Sequence, residues 1–338
     1  MKIIDVNNVR EIITKHGFEN LLRGLMEQLK LDFKNWDKFN KVPRPAMHVK
    51  DGVLELMPIC NDKFHSFKFV NCHPKNPDLD LLTVVATGQL SDVATGYPLM
   101  FSEMTLLTAL RTAATTAIAT DYMSRKDSKI LAIIGTGAQS EFLLNAISLV
   151  RDIQEVRYFD IDEKAMYKFQ NNTKNLKFKF IKCLSAEEAV INADIVTTCT
   201  ACKNHVDVVK YEWLKKGAHI NGIGGDCPGK TEMELGIVEN SRVVVEYFDQ
   251  SFAEGEIQRF DIETAKKLVV AELHELVKAE KVGRVNEGEV TLYDSVGIAL
   301  EDYSVLTLIY KLAKEYNMGH DLSILPNLAD PKNLFSLV

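Results

Sequence analysis

The sequence predicts an α/β protein in which a Rossmann-type, doubly wound parallel sheet is joined to a second, α+β domain. Residues 129–300 alternate short apolar runs with helical patterns, and the first run leads directly into a glycine-rich turn. Residues 53–102 instead contain successive strand-like segments with short links, a pattern typical of an antiparallel or mixed sheet. This change of rhythm predicts two structural units.

Length, composition and charge set the broad class. The chain has 338 residues, of which 46% are hydrophobic and 26% are charged, as in ordinary globular proteins. Its 40 basic and 47 acidic residues give a net charge of −7, which provides no broad basic field for nucleic acid or anionic lipid. No apolar run approaches the roughly 20 residues that span a bilayer, and charges interrupt residues 1–15, unlike a signal peptide. We therefore expect a cytoplasmic protein with no nucleic-acid or membrane partner.

Cysteine and histidine usage indicates neither a disulfide framework nor a metal centre. The six cysteines are spread over the chain, as expected for reduced thiols. Cys199 and Cys202 form a CxxC pair, but the pair ends an apolar run and opens no helix, which argues against a redox motif. The eight histidines show no close pair at metal-ligand spacing, so no metal is expected.

The first part of the chain predicts helices around a small sheet. Residues 1–40 have apolar positions at helical spacing and predict an amphipathic helix. The expected strands are residues 53–57, 64–70, 81–88 and 97–102, followed by a long helix over 103–122. Arg111 lies alone among Thr and Ala in that helix and needs an anionic partner, because burying it unpaired is costly. Either an internal ion pair or a bound anion satisfies it.

Residues 129–160 have the layout of a dinucleotide-binding unit. A buried strand at 129–134 runs into Gly135-Thr136-Gly137-Ala138-Gln139-Ser140, and a second strand ends at Asp160. The glycines allow close backbone approach to a pyrophosphate, the helix N-terminus faces it, and the acid binds the ribose hydroxyls. Ser140 replaces the usual third glycine. Asp160 favours NAD over NADP, because a carboxylate repels a 2′-phosphate.

A second glycine-rich turn follows the later strands. We expect these strands at residues 178–183, 195–200, 218–222 and 243–247, with another near 289–297 and a last helix over 298–316. The strand at 218–222 leads into Gly224-Gly225-Asp226, and a helix is expected to open at Lys230. A carboxylate at the carboxyl edge of a parallel sheet is a candidate proton-transfer group, although Gly-Gly-Asp is also an ordinary turn sequence.

Seven segments spread over nearly the whole chain carry a family resemblance. They are ELMP (55–58), FKFVNCHPKNP (67–77), SEMTLLTALRTAAT (102–115), IGTGAQSEF (134–142), NGIGGDCPGKTE (221–232), EGEIQ (254–258) and DSVGIALEDY (294–303). Together they resemble the ornithine cyclodeaminase and μ-crystallin family, and GGDCPGKTE is typical of its bacterial cyclodeaminase members. The resemblance implies a substrate-binding and dimerisation domain, residues 1–112 with 305–338, and an NAD-binding Rossmann domain, residues 113–304. A homodimer is therefore expected.

The resemblance also implies site residues. It implies substrate contacts at Arg44, Lys68, Arg111 and Val296, with Glu55 facing the substrate's side-chain amine and Asp226 as the acid/base. It implies NAD contacts at Thr83, Arg111, Ala138, Gln139, Asp160, Thr200, Asn221, Gly222, Ile223, Gly224, Lys230 and Ser295. Three cations suit the α-carboxylate of an amino acid, which they can grip and orient.

The implied reaction converts ornithine to proline and ammonia. A hydride leaves the α-carbon, the side-chain amine closes a ring on the resulting imine, ammonia departs and the hydride returns, so that NAD is unchanged overall. Asp226 moves the protons, and the neighbouring Cys227 is not needed as a nucleophile. Lysine stays open as a substrate, because one methylene is worth only about 1 to 3 kcal/mol. The rivals are an imine reductase, an alanine or opine-type dehydrogenase, and a non-enzymatic crystallin-like binding protein.

Overall fold

In residues 1–201 and 204–338, which the computed structural model describes, the strands form two eight-stranded sheets and one two-stranded sheet. The strands are β1 (Lys2–Ile4), β2 (Asn40–Lys41), β3 (Ala46–Val49), β4 (Gly52–Cys60), β5 (Phe64–Cys72), β6 (Val84–Asp92), β7 (Pro98–Glu103), β8 (Ile130–Ile134), β9 (Glu155–Phe159), β10 (Lys179–Lys182), β11 (Ile195–Thr198), β12 (His205–Val209), β13 (His219–Gly222), β14 (Thr231–Met233), β15 (Arg242–Val245), β16 (Val269–Glu272), β17 (Thr291–Asp294) and β18 (His320–Asp321).

The helices cover both faces of the parallel sheet and one face of the other large sheet. They are α1 (Val6–His16), α2 (Phe18–Lys34), α3 (Thr105–Met123), α4 (Ser140–Ser148), α5 (Glu163–Thr173), α6 (Ala186–Val190), α7 (Leu235–Asn240), α8 (Phe248–Glu254), α9 (Ile262–Leu268), α10 (Leu273–Val277) and α11 (Ala299–Glu315). Short 3₁₀ turns occur at Trp36–Lys38, Asn76–Leu79, Tyr211–Trp213, Glu256–Arg259 and Leu334–Leu337. No helix in the described ranges is both long and apolar enough to cross a membrane.

The N-terminal region differs from the single amphipathic helix expected over residues 1–40. It begins with β1, and two helices follow, α1 and α2, which meet at Gly17. Gly17 has a φ of 85°, a conformation that glycine adopts without strain and that ends α1. The apolar spacing was interpreted correctly within α2, which buries Leu21, Leu22 and Leu25.

The first large sheet is mixed. Its order is β18-β1-β7-β6-β5-β4-β2, with β3 also paired to β4. β1 runs parallel to β7, whereas β4, β5 and β6 form antiparallel pairs over their full length. One face of this meander packs on α11 and α3, and alternate residues on the other face, such as Leu56 and Phe69, are exposed.

The second large sheet is entirely parallel, with the order β10-β9-β8-β11-β13-β17-β15-β16. The chain goes outward from β8 in one direction through β9 and β10, and later in the other direction through β11 and β13. The point between β8 and β11 is therefore the topological switch, where ligands bind in doubly wound sheets. The predicted fold class is confirmed.

Helix α3 lies between the two sheets and is buried on nearly all sides, from Leu107 to Thr120. It packs against α4, α2, α11 and β17, and one continuous apolar core includes residues from both sheets. The predicted domain boundaries at 112/113 and 304/305 fall inside α3 and α11, and those domain ranges stay a prediction.

The prediction that a helix begins at Lys230 is wrong. Thr231–Met233 is strand β14, which pairs in parallel with β12, and the next helix begins at Leu235. The cause is a side chain distant in sequence: the backbone N–H groups of Glu232 and Met233 donate to the carboxylate of Glu256, at 2.7 and 3.1 Å. The strands that were not anticipated are β1, β2, β3, β12, β14, β16 and β18.

Candidate active site

The glycine loop after β8 lies at the switch point. Gly135 has a φ of 93°, and a Cβ atom there would lie 2.7 Å from the carbonyl oxygen of Cys199, which follows β11. No side chain therefore fits between the two strand ends. A Cβ atom at Gly137 would meet nothing within 4 Å. The loop thus combines a close backbone contact with an open side toward the crevice.

Asp160 follows β9 and holds this loop. Its carboxylate accepts from the backbone N–H of Thr136 at 2.6 Å and of Asp162 at 2.9 Å. Ser140, at the position of the third glycine, is fully buried, and its hydroxyl donates to the carbonyl of Gly137 at 2.9 Å. The serine is small enough for the close packing and closes the loop with a hydrogen bond that glycine cannot make.

The loop has the features that a dinucleotide requires. The first N–H groups of α4 point toward it, and the Oε1 atom of Gln139 is buried with no hydrogen-bond partner among the described residues. Ala138 is exposed at the loop tip. An open glycine, an available helix N-terminus and an unpartnered polar atom fit a pyrophosphate and its ribose.

Glu232 ties the ends of β11 and β13 together. One of its carboxylate oxygens accepts from the N–H and the hydroxyl of Thr200, and the other accepts from the N–H of Gly224 at 3.0 Å. Burial raises the pKa of Glu232, and Lys230 opposes that effect. The side chain of Asn221 is satisfied internally by Thr120 and Thr197. At 221–224 only the backbone can therefore face the crevice.

Asp226 lies on the loop between β13 and β14. Its side chain is 47% exposed, and its Oδ1 atom is 3.0 Å from the Nζ atom of Lys230. Lys230 is itself buried, which alone would lower its pKa, but Asp226 and Glu232 raise the pKa above its usual value. Lys230 is thus a permanent cation in contact with the candidate acid/base.

A single side chain fixes that loop. Gln258, in the 3₁₀ turn after α8, accepts from the N–H of Gly229 at 2.7 Å. Its amide nitrogen lies within 3.3 Å of four carbonyl oxygens, those of Cys227, Lys230, Glu254 and Gly255. One amide therefore joins the two ends of the Asp226 loop to the end of α8.

Arg44 crosses from the first sheet to the second. Its guanidinium contacts the carboxylates of Glu55 at 3.2 Å and Glu254 at 2.5 Å, and it donates to the carbonyl oxygens of Val296 and Gly297 at 3.1 and 3.3 Å. A cavity of about 370 Å³, a volume that includes open solvent, lies beside Arg44 and is lined by Met57 of β4, Gln250 of α8, Ile298 and other residues. The substrate-side residues thus lie where the two sheets meet.

Lys68 and Arg111 share one counter-ion. The Oδ1 atom of Asp302 is 2.9 Å from the Nζ atom of Lys68 and 3.3 Å from the Nε atom of Arg111. Arg111 also contacts Glu301 at 2.5 Å. Burial lowers the pKa of Lys68 to about 8, and Asp302 opposes that shift. The lone arginine of α3 therefore has an internal ion pair.

The turn after β17 brings Arg44 and Arg111 together, and Asp302 joins Lys68 to Arg111. Gly297, with a φ of 78°, has no room for a Cβ atom, which would lie 2.5 Å from the guanidinium of Arg111. Arg44 binds the carbonyl oxygens of the same turn. Ser295 donates its hydroxyl to the buried carboxylate of Glu246, which also accepts from the N–H of Val296 at 3.1 Å. Arg44, Lys68, Arg111 and Val296 form one cluster.

The remaining positions that were predicted to contact NAD take part in strand ends and core packing. Thr83 is half-buried just before β6, and its carbonyl accepts from the N–H of His73 at 2.8 Å. Gly222 ends β13, and Ile223 packs in the core. Cys199 donates its thiol to the carbonyl of Gly135 at 3.0 Å, whereas Cys202 lies outside the described residues, so the CxxC interpretation stays a prediction.

Several polar residues of the site were not assigned a role from the sequence. They are Glu232, Glu246, Glu254, Gln258, Glu301 and Asp302. Most lie in segments that carry the family resemblance, but their partners are distant along the chain. Two adjacent acids in the apolar pattern of α11 were the available signal, because buried carboxylates require cations.

A parallel sheet with a glycine loop at its switch point, together with a cluster of buried cations and an exposed carboxylate, is typical of a dinucleotide-dependent enzyme with a small polar substrate. The chain belongs to the ornithine cyclodeaminase/mu-crystallin family, whose model matches residues 6–317. The predicted family is confirmed.

Individual proteins agree with this assignment. An ornithine cyclodeaminase of Agrobacterium fabrum is 43% identical over 335 residues, 99% of this chain and 94% of the relative. A solved archaeal alanine dehydrogenase dimer with bound NAD superposes with a TM-score of 0.89 at 32% identity, covering 96% of this chain and 99% of that one. A lysine cyclodeaminase structure, described as recognising L-lysine, L-ornithine and L-2,4-diaminobutyric acid, gives a TM-score of 0.91 at 27% identity and covers 98% of each chain.

Proposed function

We propose that this protein is an NAD-dependent ornithine cyclodeaminase, which converts L-ornithine to L-proline and ammonia. The observation that carries the proposal is the buried cluster of Arg44, Lys68 and Arg111 with its carboxylates, in a chain 43% identical to an ornithine cyclodeaminase. Asp226 is close enough that its charge acts on Arg44 and Glu254. Asp226 is thus proposed as the proton-transfer group and Arg44 as an anchor for the α-carboxylate.

The residues proposed to hold NAD lie around the switch point. The loop of Ala138 and Gln139 would take the pyrophosphate at the N-terminus of α4, and Asp160 would take the adenosine ribose. The remaining proposed contacts are Thr83, Arg111, Thr200, Asn221, Gly222, Ile223, Gly224, Lys230 and Ser295. When bound, NAD supplies reversible hydride acceptance at the α-carbon of the substrate.

The cations anchor and orient the substrate. Arg44, Lys68 and Arg111 would bind the α-carboxylate, and the backbone of Val296 would line the pocket. Each cation already has a buried carboxylate partner, which keeps its head group in a fixed position before the substrate arrives. Such pre-organisation can contribute several kcal/mol of barrier reduction.

Asp226 performs the proton transfers. Its carboxylate would take a proton from the side-chain ammonium, so that the neutral amine becomes nucleophilic, and would return the proton to the departing ammonia. The Nζ atom of Lys230, 3.0 Å from the Oδ1 atom of Asp226, holds this carboxylate in position. In the sequence-based assignment Glu55 faces the same amine.

The test is a product assay with purified protein, L-ornithine and NAD well below the substrate concentration. Equal amounts of proline and ammonia, far exceeding the NAD present and without accumulation of NADH, are the expected result. NADH formation with L-alanine, or NADH consumption with a cyclic imine, would instead support a dehydrogenase or an imine reductase. Binding of NAD without any turnover would support a crystallin-like binding protein.

We further propose that the protein is a cytoplasmic homodimer that forms proline from ornithine. Leu56, Phe69 and Val85 are about 40% exposed on the open face of β4, β5 and β6, and an apolar sheet face of this kind suits a second copy. Cys60, Cys183, Cys199 and Cys227 are free thiols, which fits a reducing compartment. Light scattering would give the mass in solution, and cell fractionation the location.

A further inference from the structure

The Asp226 loop, residues 225–230, contains bonds that fix its own shape. The Oδ1 atom of Asp226 is 3.0 Å from the Nζ atom of Lys230, and the N–H of Lys230 donates to the carbonyl of Cys227 at 3.2 Å. Because both contacts join residues of the same loop, they do not determine where the loop lies against the rest of the site. The side chain of Asp226 is 47% exposed, so packing does little to hold its carboxylate.

The amide of Gln258 joins this loop to another segment of the chain. Its Oε1 atom accepts from the N–H of Gly229 at 2.7 Å, and its Nε2 atom is 3.3 Å from the carbonyl oxygen of Cys227 and 3.1 Å from that of Lys230. A glutamine amide has one acceptor oxygen and two N–H groups. Gln258 therefore binds the loop as an acceptor and as a donor at the same time.

Gln258 lies on a turn that is fixed to the parallel sheet. In this 3₁₀ turn, Glu256–Arg259, the N–H groups of Glu256 and Ile257 lie 2.9 and 3.4 Å from the carboxylate oxygens of Asp294, at the end of β17. Ile257 is fully buried. Since the backbone of the turn is held by the sheet and by the core, the amide of Gln258 is a fixed point for the loop.

The same amide relates the loop to the proposed substrate anchor. The Nε2 atom of Gln258 is 2.9 Å from the carbonyl oxygen of Glu254 and 2.8 Å from that of Gly255. The carboxylate of Glu254 contacts the guanidinium of Arg44 at 2.5 Å. One side chain therefore connects the loop that carries Asp226 with the segment that contacts Arg44.

We propose that Gln258 is a positioning residue for the reaction, which holds the Asp226 loop at a fixed place relative to Arg44. The inference rests on the proposed function and deepens it, because it explains how an exposed acid/base is kept in register with a substrate that is anchored by its α-carboxylate. Gln258 contacts neither the substrate nor NAD in this role. It acts through Asp226 alone.

The variant Gln258→Met tests this role, because methionine is of similar length and has no amide. We expect kcat for proline formation to fall about tenfold to a hundredfold, since a misplacement of about 1 Å can cost that much. KM for ornithine and the dissociation constant of NAD should stay within about threefold, because the proposed anchors and the glycine loop are unchanged. A rise in KM that equals the fall in kcat would overturn the proposal, as would an unchanged kcat.

Two further readouts separate positioning from general loosening. Amide hydrogen exchange should become faster in a peptide that contains residues 226–230 and stay unchanged in peptides of α3. In the Asp226→Asn background, Gln258→Met should lower kcat by less than about twofold further, because a residue that acts through the carboxylate has no effect once that carboxylate is absent. Unchanged exchange of the loop, or a full additional loss of kcat in the double variant, would contradict the proposed role.

Arg284 provides a matched control at the opposite end of the parallel sheet. Its guanidinium also joins several backbone carbonyls, those of Met123 and Glu289 at 2.7 Å and of Gly217 at 3.2 Å. Arg284→Met should lower the melting temperature at least as much as Gln258→Met and leave kcat within about twofold. A similar loss of kcat in both variants would assign the effect to stability and overturn the role of Gln258.

A second substitution covers the case in which methionine prevents folding. Gln258→Glu keeps an acceptor for the N–H of Gly229 but has no N–H group for the carbonyls of Cys227 and Lys230, so kcat should again fall with little change in KM. Failure of the proposed function gives a different result. Wild-type protein that forms no proline from ornithine overturns that function, whereas active wild type with fully active Gln258 variants overturns only the positioning role.

Discussion

The nucleotide side and the substrate side of the site hold polar groups by different physical means. Around Gly135 the site consists mainly of backbone, with one carboxylate, Asp160, that fixes the loop. Around Arg44 it consists of buried side-chain charges that lie within hydrogen-bond distance of each other. A site made of backbone loses its ligand when an added side-chain atom occupies the space. A cluster of buried charges is destabilised when one charge loses its partner of opposite sign. Substitutions should therefore act by different mechanisms on the two sides.

The largest effect on activity is expected for a substitution of Asp226, the proposed acid/base. Replacing Asp226 by Asn keeps the size of the side chain and a possible bond to Lys230 but removes the proton acceptor. We expect proline formation to fall about 10²- to 10⁴-fold, the usual contribution of a general acid–base group. NAD affinity, measured by calorimetry, should stay within about twofold. Retained turnover would remove Asp226 from the mechanism.

The next effect concerns stability on the substrate side. Asp302→Asn leaves Lys68 and Arg111 without the shared carboxylate, so the free energy of unfolding should fall by about 3 to 5 kcal/mol in urea titrations. The matched control is Asp321→Asn, which removes the exposed partner of Lys2 at 3.2 Å and should cost less than about 1 kcal/mol. Equal costs would show that the cluster is not desolvated as described.

The nucleotide side could be predicted from the sequence, whereas the contacts of the substrate side could not. The loop at 134–142 and Asp160 could be predicted, because a turn between a strand and a helix is encoded by consecutive residues. The long-range contacts of the cations could not be predicted, since the ion pair of Arg111 and Glu301 spans 190 positions and the hydrogen bond from Arg44 to the Val296 carbonyl spans 252. Local spacing contains no information about such pairs, and only the family resemblance brought the three cations into one site.

The strand β14 shows the same limit on a smaller scale. Lys-Thr-Glu after Pro-Gly has the pattern of a helix start, yet the carboxylate of Glu256 takes the N–H groups of Glu232 and Met233. Glu256 lies 24 positions further along the chain. A tertiary hydrogen bond therefore overrode the local preference, which is the common reason for such errors.

On the nucleotide side, two glycines should respond differently to alanine. Gly135→Ala places a methyl group 2.7 Å from the Cys199 carbonyl at a positive φ, so we expect a loss of about 1 to 3 kcal/mol in unfolding free energy. Gly137→Ala adds a methyl group in open space and should change stability by less than about 0.5 kcal/mol. It should nevertheless weaken NAD binding measurably, because the methyl group would lie where we propose that the pyrophosphate binds. If Gly137→Ala left NAD affinity unchanged, the ligand would not approach this loop closely.

The smallest expected effect is the pH dependence of stability that arises from Glu254. Burial raises the pKa of its carboxyl from 4.5 to about 7, so the folded protein keeps a proton that the unfolded chain has lost. The free energy of unfolding therefore falls as pH rises through this window. Arg44, Glu55, Gln250 and Asp226 surround the carboxyl, and Glu254→Gln leaves them in place.

The Glu254→Gln variant should gain stability relative to wild type by about 1 to 3 kcal/mol between pH 4.5 and pH 8. Urea titrations across that range measure the difference, and subtraction cancels Asp294, whose pKa burial also raises to about 7. A constant difference would mean that Arg44 fully compensates the burial of Glu254.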